Sequence, residues 1–185
     1  MRRAPAVVPA VVAAIALVLA AAGCGEKETP TATSDWADSL CTSLNSWTID
    51  MQEVVRQFVT PEDNVTTPGV IQALDRAETA TSTLRDDLQN LGRPPLENGQ
   101  QAKELADESA DAMKEHINAA QDAAHGESDT LEELLQRDVT ILSELKAASD
   151  EARTLVSKLE GAGSQVRNAL DQSGACDDLR SELGS

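Results

Sequence analysis

From Ser34 to the end of the chain, apolar residues recur at intervals of three and four, and no window alternates as a half-buried strand would. That period confines the chain to helices that bury one face each. The first stripe runs Trp36, Leu40, Leu44, Trp47, Met51, Val54, Phe58. Ser34 stands before it as an N-cap, Asp35 suits the positive end of the helix dipole, and Pro61 closes it. Thr67-Pro68 opens a second helix, with proline at the first helical position, where its missing N–H costs nothing. Its stripe runs from Val70 to Leu91, and Gly92 stops it with Pro94 and Pro95 just beyond.

A third helix is expected from Asn98 to His125, ended by Gly126. Its inner side is small-residued (Ala106, Ala110, Ala120, Ala124), which either leaves a groove or lets a neighbour sit close. The fourth opens on Thr130-x-x-Glu133, a capping-box pattern. It carries Leu131, Leu134, Leu135, Leu142, Leu145, Leu155 and Leu159 as its stripe. Gly161-Ala162-Gly163 should kink it or start a short fifth helix, with a final short turn around Leu179 and Leu183. Short connections make consecutive helices antiparallel neighbours. The expected fold is all-α, an antiparallel up-down-up-down helical bundle of four main helices occupying residues 34–185.

The N-terminus reads differently. Met1-Arg2-Arg3 precedes an uncharged apolar run from Ala4 to Ala22, ending in Gly23-Cys24. Small residues at such an end mark a secretory leader. Leu19-Ala20-Ala21-Ala22-Gly23-Cys24 resembles the lipobox of bacterial lipoproteins, although Ala21 stands where that family prefers leucine. The resemblance implies that residues 1–23 are a signal peptide and that the Cys24 thiol receives a diacylglycerol and becomes the mature N-terminus. The chain would then sit on the extracytoplasmic face of the cell membrane. Two acyl chains anchor stably where one binds only marginally. The alternatives are plain secretion after cleavage at Ala22 and a retained membrane span, against which Pro5 and Pro9 argue. Residues 24–33 are polar and small enough to form a flexible tether.

With Cys24 lipidated, Cys41 and Cys176 remain as an even pair, and an oxidising compartment makes that a disulfide. It would close a 135-residue loop, worth about 5 kcal/mol in the chain-entropy model. In the expected bundle, the start of helix 1 and the end of helix 4 share one end, so topology and cysteine count agree.

The leader holds two of the 15 basic residues and none of the 32 acidic ones, leaving the mature chain at a formal −19. Such a surface repels nucleic acid and gains nothing from anionic headgroups; a protein partner would be basic. His116 and His125 fall on opposite faces of one helix, and no Glu-x-x-His pair of the di-metal bundle kind occurs. Asp107, Glu108, Asp111 and Glu115 read as a solvated face. No metal or cofactor is expected. Without a G-x-S-x-G elbow or a spare cysteine, no enzyme is expected either. Asn64-Val65-Thr66 marks a surface loop. The aromatics Trp36, Trp47 and Phe58 are expected in the core, with a ligand pocket as the sharper alternative.

Trp36…Cys41…Trp47, Thr79-Ala80-Thr81…Leu91-Gly92-x-Pro94, Glu97-x-Gly99-Gln100-Gln101-Ala102-Lys103 and Ala175-Cys176 together resemble a set of small exported helical lipoproteins of high-GC Gram-positive bacteria. The resemblance spans most of the mature chain and implies an address and an architecture, with no activity to carry over. The expected function is a non-enzymatic binding or structural role in the cell envelope. Two alternatives stand beside it: a small-molecule or lipid-binding module, and a weak divalent-cation binder using the acidic helix faces.

Overall fold

A computed structural model describes residues 30–59, 67–126 and 130–184. The leader, Cys24, the first part of the tether, Pro61 and the Asn64 sequon lie outside them. The described chain is all-helical: α1 (Pro30–Val59), α2 (Thr67–Leu91), α3 (Gly99–His125), α4 (Leu131–Gly161), α5 (Ser164–Asp171) and α6 (Gly174–Gly184), packed against one another. Among the described residues no helix is long and apolar enough to cross a membrane.

Helix α1 is helical from Pro30, so Ser34 lies inside it, and the last four residues expected in the tether are its first turn. Proline is well suited to that position, because its fixed φ matches the helix. Helix α2 ends where Gly92 takes a φ of +69°, a left-handed conformation that glycine adopts without a Cβ penalty. At the start of α4 the capping box is complete. The Thr130 hydroxyl accepts from the Glu133 amide at 3.2 Å, and the Glu133 carboxylate accepts from the Thr130 amide at 3.0 Å. The Gly161–Gly163 segment ends α4 and begins the short helix α5.

The last segment is longer than the expected short turn. Ser173 is buried, and its hydroxyl accepts from the Cys176 amide at 3.2 Å, capping an 11-residue α6. Leu179 and Leu183 then turn toward the core on one face.

Packing follows the period. Helix α1 lies against α2, α2 against α3, and α3 against α4, while α6 covers α1 and α5 bridges α4, α1 and α6. Cross-helix pairs give the register. From α1 to α2, Trp36 reaches the Gly92 carbonyl at 3.3 Å, Ser43 reaches Asp87 at 3.1 Å and Trp47 reaches Thr81 at 2.9 Å. From α3 to α4, Ser109 reaches Glu151 and His116 reaches Glu144, both at 2.7 Å. Between α1 and α6 the partners rise together: Asp38 with Ser173, Cys41 with Cys176, Gln52 with Glu182.

The small-residue side of α3 is close packing. Ala102, Ala106, Ala110, Ala120 and Ala124 are all buried, facing neighbours that include Ile141, Leu145, Ala148 and Leu155 of α4. Without bulky side chains the backbones can approach, and the contact area is regained through proximity. The α4 stripe needs a correction at its start. Leu131 is 73%, Leu135 59% and Val139 60% exposed, and burial begins only at Ile141. These three lie about 110° around the helix from the buried Ile141, Leu145 and Leu155, on the side that further along carries half-buried Leu142 and exposed Lys146 and Arg153.

Candidate binding surfaces

The disulfide expected from cysteine count is present, with Cys41 and Cys176 joined and their Cα atoms 4.9 Å apart. Cys41 is two to three turns into α1, and Cys176 is in the first turn of α6. Both are buried. The Ser173 hydroxyl also donates to the Asp38 carboxylate, so one serine caps α6 and ties it to α1. Nearby, the Asn98 amide donates to the Ala162 carbonyl at 2.7 Å and Gln165 accepts from the Glu97 amide at 3.2 Å. These contacts join the α2–α3 link to the α4–α5 link. The periodic pattern gives no sign of them.

The three aromatics do not converge. Trp36 and Phe58 are 22 residues apart on one helix, roughly 33 Å along its axis. Trp36 is 5% and Trp47 2% exposed, and each indole N–H has an acceptor. Thr81, which accepts from Trp47, donates its own hydroxyl hydrogen bond to the Ala77 carbonyl at 2.8 Å. That chain satisfies a polar group that would otherwise be costly inside the core. Phe58 packs half-buried against the core. Trp47 also floors a shallow depression of about 340 Å³ between α1 and α2, rimmed by Asp50, Glu53 and Asp87 with Arg76.

The acidic residues of α3 and α4 are drawn into pairs along and between helices. Asp107 pairs with Lys103, Asp111 with Arg85 at 2.6 Å, and Glu151 accepts from both Ser109 and Lys158. The Asp111 contact raises the Arg85 guanidinium above its ordinary value, chiefly through the hydrogen bond. Among the described residues, no three His, Cys, Asp or Glu side chains gather as a metal ion would require.

A second depression differs in sign. Helix α6 fills the seam between α1 and α4 only as far as Leu183, and below it a half-open groove of about 520 Å³ remains. Met51 and Val55 of α1, Leu142 of α4 and Leu183 form its apolar floor. Arg56, Lys146 and Arg153 stand at its rim with Asp150 and Glu182. Asp150 serves two of these cations, pairing with Lys146 and with Arg153 at 3.3 Å. Its carboxyl is held below the ordinary carboxylate range, chiefly by the Lys146 hydrogen bond, which outweighs the opposing effect of burial, with the charges of Lys146 and Arg153 adding to it. Residues Leu142, Lys146 and Arg153 follow the apolar period, but their gathering with α1 depends on where α6 ends.

No protein-family model, curated protein or solved structure matches the chain.

Proposed function

We propose that the chain is a lipid-anchored, non-enzymatic binding module of the extracytoplasmic cell surface, with the groove among α1, α4 and α6 as its ligand site. One observation carries this reading. In a chain with 32 acidic and 15 basic residues, this groove sets three cations against two carboxylates around an apolar floor. Its volume falls in the range of small-molecule sites, which are mostly apolar with a few polar groups that orient the ligand.

The four long helices form, in this reading, an antiparallel up-down-up-down bundle with α5 and α6 closing one end. The opposed register of the α1–α2 and α3–α4 pairs supports it. Cys24, carrying its diacylglycerol, lies six residues before Pro30, so the start of α1 stays near the membrane. The groove then begins at Thr48, roughly 27 Å further along α1. The disulfide supports an oxidising, exported location. A surface of formal charge −19 favours neither nucleic acid nor an anionic bilayer.

A photo-crosslinking residue placed at Leu142 in intact cells tests the site, with the same residue at Glu115, on the exposed face of α3, as control. A discrete small-molecule increment in the intact mass of the mature chain is expected at Leu142 and not at Glu115. Equal labelling at both positions, or none at Leu142, overturns the reading.

A further inference from the structure

The three most exposed large apolar side chains of the described chain lie on one helix, four residues apart: Leu131, Leu135 and Val139. At about 100° per residue, they fall with Leu142, Lys146 and Arg153 in a sector roughly 80° wide on the side of α4 that faces the groove. The steps between them are four, four, three, four and seven residues, so the line barely winds around the helix. Leu131 to Lys146 spans roughly 22 Å. The result is one track with two chemical halves. The upper half has the cations of the groove rim, and the lower half is bare leucine and valine.

Contiguous apolar surface left in water marks a site for a partner more often than an accident of packing. The charge pattern selects the partner. Asp150 is shared between Lys146 and Arg153, while Glu182, the other carboxylate of the rim, accepts from Gln52, so an outside anion meets two cations that divide one carboxylate. A second copy of this chain is a poor occupant, because Glu132, Glu133 and Asp138 flank the stripe and two strongly acidic bodies would meet there. A small anion alone would leave the lower half uncovered.

We propose that this track binds a single-chain anionic amphipath, a long-chain carboxylate or its equivalent, with its headgroup beside Lys146 and Arg153 and its acyl chain running along Leu142 and Val139 toward Leu135. The proposal rests on the groove being the ligand site and names what fills it. Met51 and Val55 of α1 cover the chain where it leaves the headgroup, and Leu183 closes the upper side. Each added methylene takes more apolar surface out of water, so chain length sets affinity and the cations set selectivity.

The test uses the mature chain, residues 24–185, with Cys24→Ser to remove its own acyl groups, titrated by calorimetry below the aggregation concentration of each probe. Dodecanoate is expected to bind at one site, at least tenfold tighter than either dodecyl maltoside or octanoate. The double variant Lys146→Glu/Arg153→Glu should lose tenfold or more for dodecanoate and little for the maltoside. Val139→Asp, seven residues and roughly 10 Å from Lys146 along the track, should lower dodecanoate affinity severalfold and change octanoate affinity little. These positions are exposed, and a single cooperative melting transition within a few degrees of the parent's shows that each variant is folded. Equal affinity for dodecanoate and the maltoside, no effect of Val139→Asp on dodecanoate, or a dimer whose dissociation alone exposes the stripe would each overturn the proposal. If dodecanoate fails while Leu142 still captures a small molecule in cells, the ligand class falls and the site stands. If both are blank, the binding reading falls with it.

Discussion

At the end of the molecule where α1 begins, four segments are tied by chemistry as well as by packing. The disulfide joins α1 to α6, Ser173 joins the same pair, Trp36 reaches the end of α2, and Asn98 reaches across to Ala162. At the end where α4 begins, the described residues show a different economy. A capping box holds the first turn, and Leu131, Leu135 and Val139 point into water for two turns before Ile141 enters the core. The same helix thus has a stretch that stabilises the fold and a stretch that does not. The difference teaches that the apolar period measures a helix's capacity for burial. Whether the capacity is used depends on which neighbour covers that side, and Leu131, Leu135 and Val139 lie about 110° around α4 from Leu145 and Leu155.

The largest expected effect comes from cutting the tied end. Cys41→Ser/Cys176→Ser should lose about 3 to 5 kcal/mol of unfolding free energy, since the link closes a long loop of the unfolded chain. Urea denaturation of oxidised and variant protein measures it. A loss below about 1 kcal/mol would mean that the hydrogen bonds around Ser173 and Asn98 already hold that end, and the contrast would weaken.

Next comes a matched pair on α4. Leu145 is fully buried and Leu135 is mostly exposed. Leu145→Ala should cost about 3 kcal/mol through lost transfer energy and a residual cavity. Leu135→Ala should stay within about 0.5 kcal/mol, as exposed positions do. Equal costs would show that the stripe is covered in solution. That outcome would remove the distinction between the two stretches of the helix.

Gly99 tests how tightly the tied end is built. A Cβ there would run into the Pro94 carbonyl oxygen, a backbone atom that no side-chain rotation can move. Gly99→Ala should therefore cost about 2 kcal/mol, in the range of overpacking, although alanine is the better helix former by about 1 kcal/mol. Gly161 has nothing within reach of an added Cβ. Gly161→Ala is the control and should be near neutral, both variants being followed by thermal melting.

The same comparison explains what the sequence made legible. Helices α2 and α3 and the Thr130–Glu133 box could be read because their signals are local: a cap residue, a stop glycine, a repeat. The cysteine pair could be read because exclusion of Cys24 left two. What escaped reading was non-local. Ser34 looked like a start because serine caps well, yet Pro30 begins the helix and Ser34 is its fifth residue. Leu131 and Leu135 looked buried because nothing in their spacing tells which side of α4 its neighbours cover. Trp36 and Trp47 looked available for a ligand, and their N–H groups were already committed to Gly92 and Thr81. The gathering of Arg56, Lys146 and Arg153 required three helices to be in place at once.

The smallest expected effect is a change of sign between stability and binding at Asp150. Its carboxyl titrates below the ordinary 3.8 because Lys146 donates to it and Arg153 stands close. A folded value below the unfolded one contributes stability above the unfolded value, and that contribution disappears as pH falls through the folded value. With the side chain 43% exposed, screening keeps the contribution below about 0.5 kcal/mol. Melting curves should therefore place Asp150→Asn slightly below the parent at neutral pH, with the two converging as acid protonates the carboxyl. Dodecanoate affinity should move the other way, because Lys146 and Arg153 lose the carboxylate that competes with the headgroup. A variant that melts lower and binds tighter is what a rim built for an outside anion produces. One that loses both would make Lys146, Asp150 and Arg153 an ordinary surface ion cluster, and α4 would then have an exposed stripe with no charged end to orient a ligand on it.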